Sequence, residues 1–531
     1  MSNEIPIFKS WVPDWMIKWA ILLMMFPSVS LFGFFTTNTS GTAGYYGIEP
    51  QDVQFSVVLF YASLASFYPL EKRFFRYLAS RNYFIIGVLL LIATSAGCYY
   101  ARSGTAFFIL RFLQGVFNGG VNTICITLLF SRFSSERSRV IGYSYFYGLL
   151  LCSSPLTMLI TSRVLDHYDL AALYKLMIFM LVPPAILLTL MMNDIRLRKK
   201  FPLYQLDWKS YVLYLLVFCS AGYALIYGQT LNWLEDWRIR AAIIVFVVVL
   251  CLFFLRQKGL KRQFIEIGVF RYKNYVLGAC LLIPLYVCRG SLSISTNYFS
   301  AVLRTDPIHI SNLMLANLAG IIVATAVVAR AVLLGKPIRQ IFLVGFAFMF
   351  IFHLWMSFLF TSTTDDSQYI LPLLIQGLGS GTLLVPLVIF VVSSVPAASS
   401  ISASGAGIFF RFIGFCLSLS LINFFQLSDK SRHYQSFRQE VTATNPLSIE
   451  KLQRYEQMVH SKGLAADEAS RAAQVLLNRS VDTQTQLLYA IDYYRMLCFL
   501  IAIIMVIIAL SPYINRTVVR LKGAQPAPAS Y

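Results

Sequence analysis

Apolar runs of about 20 residues recur along the whole chain and are separated by short polar segments. A helix that spans a bilayer needs roughly 20 consecutive apolar residues. The pattern therefore predicts an all-α integral membrane protein with fourteen transmembrane helices. They are predicted at residues 16–36, 53–70, 82–100, 105–130, 139–162, 173–193, 208–228, 239–255, 274–296, 309–332, 338–360, 369–393, 402–424 and 487–512.

The placement of basic residues orients these spans. With a cytoplasmic N-terminus, the cytoplasmic segments hold 26 Lys and Arg, whereas the short outer loops hold 6. Cytoplasmic loops of membrane proteins carry an excess of Lys and Arg. We therefore expect a multi-pass protein of the cell (inner) membrane with both termini in the cytoplasm. The net charge of +20 is then a topology signal, and no nucleic-acid partner is predicted.

Composition excludes several classes of protein. Hydrophobic residues make up 57% of the 531 residues and charged residues 13%, about half the charge of a soluble domain. A soluble enzyme, a disordered chain and a disulfide scaffold are therefore excluded. The nine cysteines all lie in apolar segments, without a CxxC pair. No metal-ligand cluster, Walker loop or catalytic signature is present, so neither an enzyme nor a cofactor is predicted.

One long polar segment, residues 425–486, separates the last two predicted spans. Apolar residues recur at helical spacing over 446–479, with an interruption near Gly463. This pattern predicts two short amphipathic helices outside the membrane. The segment is either a connector on the membrane surface or a docking site for a periplasmic partner. The C-terminal residues GAQPAPASY predict a flexible tail.

Charged residues inside the spans are basic. None of the 24 acidic residues lies in the middle of a span, but Arg111, Arg289 and Arg411 lie within the fourth, ninth and thirteenth spans. A buried arginine is costly unless it is paired or hydrated. Small polar residues follow Arg289 as far as Asn297, as in a cavity wall, although Arg289 could also extend to the interface. His353, in the eleventh span, is a proton carrier or a satisfied structural residue.

Small residues in two spans predict close helix packing. The fourth span contains Gln114 and Gly115, and the twelfth contains a glycine series that ends in a proline, namely Gly377, Gly379, Gly381 and Pro386. Asn122 follows Arg111 by eleven residues, which places both on one helix face about 16 Å apart. Asn122 then either lines a site or makes a packing hydrogen bond.

Six segments, in order, resemble one known family. Arg111-x-x-Gln114-Gly115 is similar to its fourth-helix motif, and residues 403–414, with Arg411 and Gly414, resemble its thirteenth-helix stretch. The others are residues 166–183, residues 207–208 with Gly228 and Trp233, residues 264–271 and residues 376–386. The chain thus resembles the major facilitator superfamily, in particular its fourteen-helix drug:proton antiporters of the EmrB/QacA type.

This resemblance implies a fold and a domain organisation. Two six-helix bundles would enclose a cavity lined by helices one, two, four, five, nine, ten, twelve and thirteen, with two inserted central helices. The implied domains are an N-terminal bundle (1–200), the inserted helices (201–262), helices nine to thirteen (263–424), an extracytoplasmic loop (425–486) and the last span with the cytoplasmic tail (487–531).

Three departures from the family pattern concern proton coupling. The loop at residues 71–81 lacks the family's Asp and both of its glycines, and the fifth-helix antiporter motif is reduced to Pro155. The first helix often carries an acid in the family, but residues 31–38 contain none. Arg111, which the family uses to tune a protonation site, therefore has no usual acidic partner.

The preferred hypothesis is a secondary active exporter that works by alternating access and is coupled to protons. Arginines without acids favour anionic or neutral amphipathic compounds, including drugs. Arg111 and Arg289 are the predicted charged positions, with Asn38, Asn122 and Asn297 as polar neighbours. Three alternatives remain: the inner-membrane component of a tripartite pump with a periplasmic adaptor, a degenerate non-transporting sensor or scaffold, and an importer of organic anions.

Overall fold

A computed structural model describes residues 7–34, 37–74, 79–132, 138–195, 206–442, 444–511 and 514. Over these residues the chain forms eighteen α-helices and no strand longer than one bridge, between Phe8 and Met192. The helices are α1 Asp14–Gly33, α2 Thr39–Tyr46, α3 Pro50–Phe74, α4 Ser80–Tyr100, α5 Gly104–Ser131, α6 Ser138–His167, α7 Ala171–Met191, α8 Trp208–Tyr227, α9 Trp237–Gly259, α10 Lys273–Gly290, α11 Leu292–Ala301, α12 Pro307–Leu333, α13 Ile338–Leu359, α14 Ile370–Ser393, α15 Ser400–Phe424, α16 Lys430–Glu440, α17 Pro446–His460 and α18 Ala466–Leu510.

Fourteen helical segments of the described chain are long and apolar enough to cross a membrane, which confirms the predicted number. Only helices satisfy their own backbone polar groups in lipid, so each apolar run folds in the same way. Polar residues at the boundaries start several of them. Asp306 caps α12 by accepting a hydrogen bond from the Ile308 amide at 3.0 Å, and Pro307 occupies the first turn.

The helices enclose two apolar cores. One is built from α1 to α7, which we call the first half, and the other mainly from α10 to α18, the second half. The halves meet where α3 packs along α15 and where α6 packs along α12. Helix α8 packs on both α3 and α15, whereas α9 packs mainly on α8 and exposes apolar side chains such as Ile244 and Val248. The inserted pair thus lies beside one junction of the halves.

The ninth span is broken at a single residue. Helix α10 ends at Gly290 and α11 begins at Leu292, and the Oγ atom of the intervening Ser291 lies 2.7 Å from the Cys288 carbonyl oxygen. A Cβ atom at Gly290 would overlap the Ser418 side chain of α15. Glycine therefore allows α15 to approach the break, which follows directly after Arg289.

The segment between the last two spans differs from the prediction. Helix α15 continues through a π-helical stretch, Phe425–Asp429, into α16. The break near Gly463 is present, with φ of +92°. The second amphipathic stretch is not a separate short helix, because α18 runs unbroken for 45 residues from Ala466 into the last span. No Gly or Pro interrupts residues 466–510, so nothing in this stretch ends the helix.

An ion pair and a hydrogen bond attach α16 to α18. Lys430 and Asp482 approach to 2.7 Å, and His433 and Asp492 approach to 2.9 Å. We call the side of the molecule that holds α16 and α17 the loop side. The predicted C-terminal tail and most of the loop at residues 71–81 lie outside the described residues or have undescribed side chains.

Candidate substrate cavity

A cavity of about 810 Å³ lies between the two halves. Its walls come from α1, α3, α5 and α6 of the first half and from α10, α11, α12, α14 and α15 of the second. These are the spans that the family resemblance implies. The volume is in the range of sites that hold small organic molecules.

Two arginines and two carboxylates are the charged residues among the described lining. Asp166 lies one residue before the end of α6 and Asp306 caps α12, so both are at the loop side, as is Gln426. Arg289 and Arg411 lie deeper. The ten residues of α11 separate Arg289 from the loop side by about 15 Å. The interior of the cavity is therefore positive, and its loop-side mouth is negative.

The two cavity arginines are held differently. Arg411 is 8% exposed, and its Nη1 donates to the Tyr147 hydroxyl at 2.9 Å, with the guanidinium 5.4 Å from the ring centroid. This contact joins α15 to α6 across the two halves. Arg289 is half-buried and makes no ion pair with the residues that the structure describes. Of the two, Arg289 is the charge that a ligand can reach without breaking a helix contact.

Several sequence-predicted residues do meet in this cavity. The lining residues among them are Asn38, Asn122, Asn297, Arg289, Pro155 and Arg411. Asn38 also has a local role, because its Oδ1 accepts from the Gly41 amide at 3.1 Å and caps α2. The Asn122 Oδ1 is buried without a hydrogen-bond partner in the described chain, so the packing hydrogen bond considered for Asn122 is not formed there.

Arg111 does not line the cavity. It is fully buried between α3, α4 and α5, where its Nη1 donates to Gln114 Oε1 at 2.9 Å and its guanidinium lies 4.5 Å from the Phe60 ring centroid. Gln114 in turn donates to Ser95 Oγ at 3.1 Å. The expectation that Arg111 is a charged cavity position therefore differs from the observed placement. The physical reason is Gly115, where α3 comes so close to α5 that a Cβ would overlap the Phe60 carbonyl.

Apart from Arg411, the predicted motif residues of the second half lie within buried helix faces and outside the cavity lining. Gly377 contacts the α12 backbone, since a Cβ there would overlap the Asn317 carbonyl oxygen. Gly414 faces α10, where a Cβ would lie 2.9 Å from the Ile283 Cα. Gly379, Gly381 and Pro386 are buried in α14. They set the spacing between helices that form the wall.

Five polar residues of the lining were not predicted as site residues, although two of them lie in the segment 376–386. They are amides and hydroxyls within apolar helices: Asn118, Asn317, Gln376, Ser380 and Ser418. Asn118 accepts a hydrogen bond from Ser28 of α1, and Asn317 donates to Gln376 of α14. A search of the spans for uncharged amides, and not only for charges, would have found three of them.

His353 lies outside this cavity, next to the break in the ninth span. Its Nδ1 is 2.7 Å from the Met349 carbonyl and its Nε2 is 2.9 Å from Ser291 Oγ. A carbonyl only accepts, so Nδ1 carries the proton and Nε2 is the acceptor. The ring is buried and both nitrogens are satisfied, which fits the structural role considered for it.

The chain is similar in sequence to known proteins. The profile of the Major Facilitator Superfamily matches residues 19–419, so the chain belongs to this superfamily. It is 22% identical over 436 residues to the Acinetobacter baumannii colistin resistance protein EmrB, covering 81% of this chain and 83% of that protein. It is 21% identical over 387 residues to the Haemophilus influenzae multidrug export protein EmrB, covering 71% and 73%.

Solved structures share the fold. A POT family transporter in complex with 5-aminolevulinic acid superposes with a TM-score of 0.63 at 12% identity, covering 96% of this chain and 99% of that one. The human organic anion transporter MFSD10 (TETRAN) superposes with a TM-score of 0.51 at 11% identity, covering 78% and 95%. The predicted fold and superfamily are confirmed, and the chain is a multi-pass membrane transporter.

Proposed function

We propose that this chain is a secondary active exporter of small amphipathic compounds, anionic or neutral, that works by alternating access and is coupled to protons. One observation supports the proposed charge of the substrate. The cavity interior holds Arg289 and Arg411, and the carboxylates of the described lining are confined to the loop-side mouth. In a low-dielectric interior, two positive charges favour an anion and oppose a cation. The Haemophilus influenzae relative, named as a multidrug export protein, supports the direction of transport.

The contacts between the halves are consistent with alternating access. Gln54 and Asn423 exchange a hydrogen bond of 3.0 Å between α3 and α15, and Arg163 donates to Asn312 at 3.2 Å between α6 and α12. These bonds are few and polar, so they can break when the halves rock about the cavity. The moving units are the bundles at 1–200 and at 263–424 with the last span, and residues 201–262 form the inserted pair.

The orientation follows from the basic residues. Both termini are cytoplasmic in this proposal, and the loop side with its negative cavity mouth faces away from the cytoplasm across an inner membrane. Proton coupling rests on the family resemblance. Since Arg111 pairs with Gln114 and Phe60, Asp166 and Asp306 are the carboxylates in the cavity wall through which protons could compete with substrate.

The test uses proteoliposomes that contain the purified chain and a pH-sensitive dye. A proton gradient is imposed and anionic, neutral and cationic amphiphiles are added in turn. We expect proton flux with anionic members, lost in Arg289→Ala and partly retained in Arg289→Lys. The control is Arg238→Ala, which removes an exposed arginine at the start of the peripheral α9.

Three outcomes contradict the proposal in different ways. Flux with cationic compounds only would overturn the argument from the cavity arginines. Substrate uptake driven inward would favour the organic-anion importer. If the folded protein gives no proton flux with any of the compounds, a non-transporting sensor or scaffold is favoured.

A second candidate function is the inner-membrane component of a tripartite pump. The observation that favours it is the length of α18, whose 45 residues extend about 68 Å, roughly twice the bilayer core. Its first part, with α16 and α17, extends beyond the membrane and could contact a periplasmic adaptor. Deletion of residues 444–464 should abolish export in cells but leave flux in proteoliposomes intact, and equal loss in both would contradict this role.

A further inference from the structure

A rigid polar cluster lies on the second-half wall of the cavity, at the crossing of α12 and α14. Its members are Asn317 of α12 and Gln376 and Ser380 of α14, and all three line the cavity. Asn317 and Gln376 are each 1% exposed and Ser380 is 2% exposed. Gly377 lets the two helix backbones touch at this point, which fixes the spacing of these side chains.

The hydrogen bonds determine which way the Gln376 amide points. Asn317 Nδ2 lies 3.0 Å from the Leu373 carbonyl oxygen, and a carbonyl only accepts, so this atom must be the donating nitrogen. The same nitrogen also contacts the Gln376 side chain. The atom of Gln376 that faces Asn317 is therefore the acceptor Oε1, and the Nε2 group points the other way.

Two hydrogen-bond donors are left over at this wall. Gln376 Nε2 and Ser380 Oγ are both buried and have no hydrogen-bond partner among the described residues. They are four residues apart on one helix, so they lie on one face about 6 Å apart along the axis. Donors that are buried without a partner are costly, and a ligand that accepts from them recovers that cost.

We infer that Gln376 and Ser380 form a subsite that binds an uncharged acceptor oxygen of the substrate, such as the carbonyl of an amide or ester. The inference rests on the proposed function and deepens it, because Arg289 already serves the anionic group. Uncharged donors fit a carbonyl, whereas a second anion would be served better by another cation. The substrate class is thus an organic anion that also carries a carbonyl group.

The test compares two anionic probes of equal length, one with an amide group and one without. Hippurate contains an amide between its phenyl ring and its carboxylate, and 4-phenylbutyrate has methylene groups at the same positions. Binding of each is measured by titration calorimetry on the full chain in nanodiscs. We expect hippurate to bind about tenfold more tightly, since one hydrogen bond to a ligand contributes an effect of this order.

The variants locate the preference. Gln376→Leu should abolish the tenfold difference by weakening hippurate and leaving 4-phenylbutyrate unchanged, and Ser380→Ala should reduce it about threefold. Ser357→Ala is the matched control, because that α13 hydroxyl is buried but already donates to the Leu354 carbonyl at 2.7 Å and is not in the lining. If Gln376→Leu does not fold, the loss of preference in Ser380→Ala tests the carbonyl subsite.

The outcomes separate this inference from the function on which it rests. Equal binding of the two probes, or a preference that survives both variants, overturns the carbonyl subsite and leaves the anion transporter standing. Arg289→Ala should weaken both probes equally. If the wild-type chain binds neither probe, the proposal that the cavity binds anions is contradicted, and so is the proposed carbonyl subsite.

Discussion

The two halves contain the same dipeptide at a close helix crossing. Gln114-Gly115 of α5 packs against α3, and Gln376-Gly377 of α14 packs against α12. In each case the glycine lies against a backbone carbonyl of the neighbouring helix. The crossings differ in where the glutamine side chain goes.

The residue three positions earlier decides that difference. At α5 it is Arg111, which donates to the side-chain oxygen of Gln114, while Ser95 accepts from the Gln114 amide nitrogen, so both ends of this amide are paired. At α14 it is Leu373, which offers no side-chain donor, and the amide nitrogen of Gln376, a lining residue, has no partner among the described residues. One packing device thus buries a charge in one half and presents a donor in the other.

The largest expected loss of stability comes from variants that disrupt either helix crossing. In Gly115→Ala or Gly377→Ala the new methyl group overlaps a backbone carbonyl, so two helices must separate. We expect a loss of about 3 kcal/mol, the upper range for overpacking, seen as a lowered apparent Tm in nanodiscs. Gly44→Ala in α2 meets open space and serves as the control. An unchanged Tm for either crossing variant would show that the helices are not in contact there.

The next largest effect comes from replacing Arg111 by leucine, the residue type found at the equivalent position of α14, Leu373. Arg111→Leu leaves Gln114 Oε1 buried without a donor, and we expect a loss of about 2 kcal/mol in stability. Adding Gln114→Leu removes the unpaired group, so the double variant should lose less than the two singles combined. Strict additivity of the three free energies of unfolding would contradict the pairing. Probe binding should stay intact, because neither residue lines the cavity.

A smaller loss of stability is expected for a variant at the crossing of α12 and α14. Asn317→Leu removes the donor to Leu373 and to Gln376, and we expect a cost of about 1 kcal/mol. Gln376 is then no longer oriented, so the preference for hippurate over 4-phenylbutyrate should decrease while the affinity for 4-phenylbutyrate persists. A stable variant that keeps the full preference would show that Asn317 does not orient Gln376.

The smallest effect concerns acid sensitivity, which neither crossing explains because neither cluster contains a carboxylate. Asp207, which caps α8, is partly buried, and burial raises the pKa of its carboxyl group. Hydrogen bonds from Ser210 and Arg256 outweigh burial and hold the pKa below its usual value. Its stabilising contribution is therefore complete above the usual carboxyl pKa and is lost as the pH falls through the lowered value.

Asp207→Asn should therefore remove an acid-dependent stabilisation of at most about 1 kcal/mol. The difference in apparent Tm between wild type and variant is measured from pH 7 to pH 3. We expect the difference to shrink at the acid end of that range. A difference that grows as the pH falls would contradict the lowered pKa.

The sequence predicted more of the fold than of the site. The fourteen spans and the superfamily could be derived from apolar runs and ordered motifs. The polar stretch after Arg289 left two positions open for this residue, a cavity wall and the membrane interface, and the structure shows the first. The placement of Arg111 could not, since its motif is equally compatible with a cavity and with a helix contact. Gln376 was seen as part of a motif, but its free amide depends on Asn317, 59 residues away.

The number and type of helices were determined by the sequence alone, because a bilayer offers no partner for backbone N–H and C=O groups and each apolar run must satisfy its own. Which polar side chains share the cavity was decided only by the tertiary structure. Glycines at 115 and 377 set how closely neighbouring helices approach, and that approach pairs one glutamine within its cluster and places the other in the cavity wall. Helix formation depends on local residues, whereas the direction of a side chain depends on the neighbouring helix.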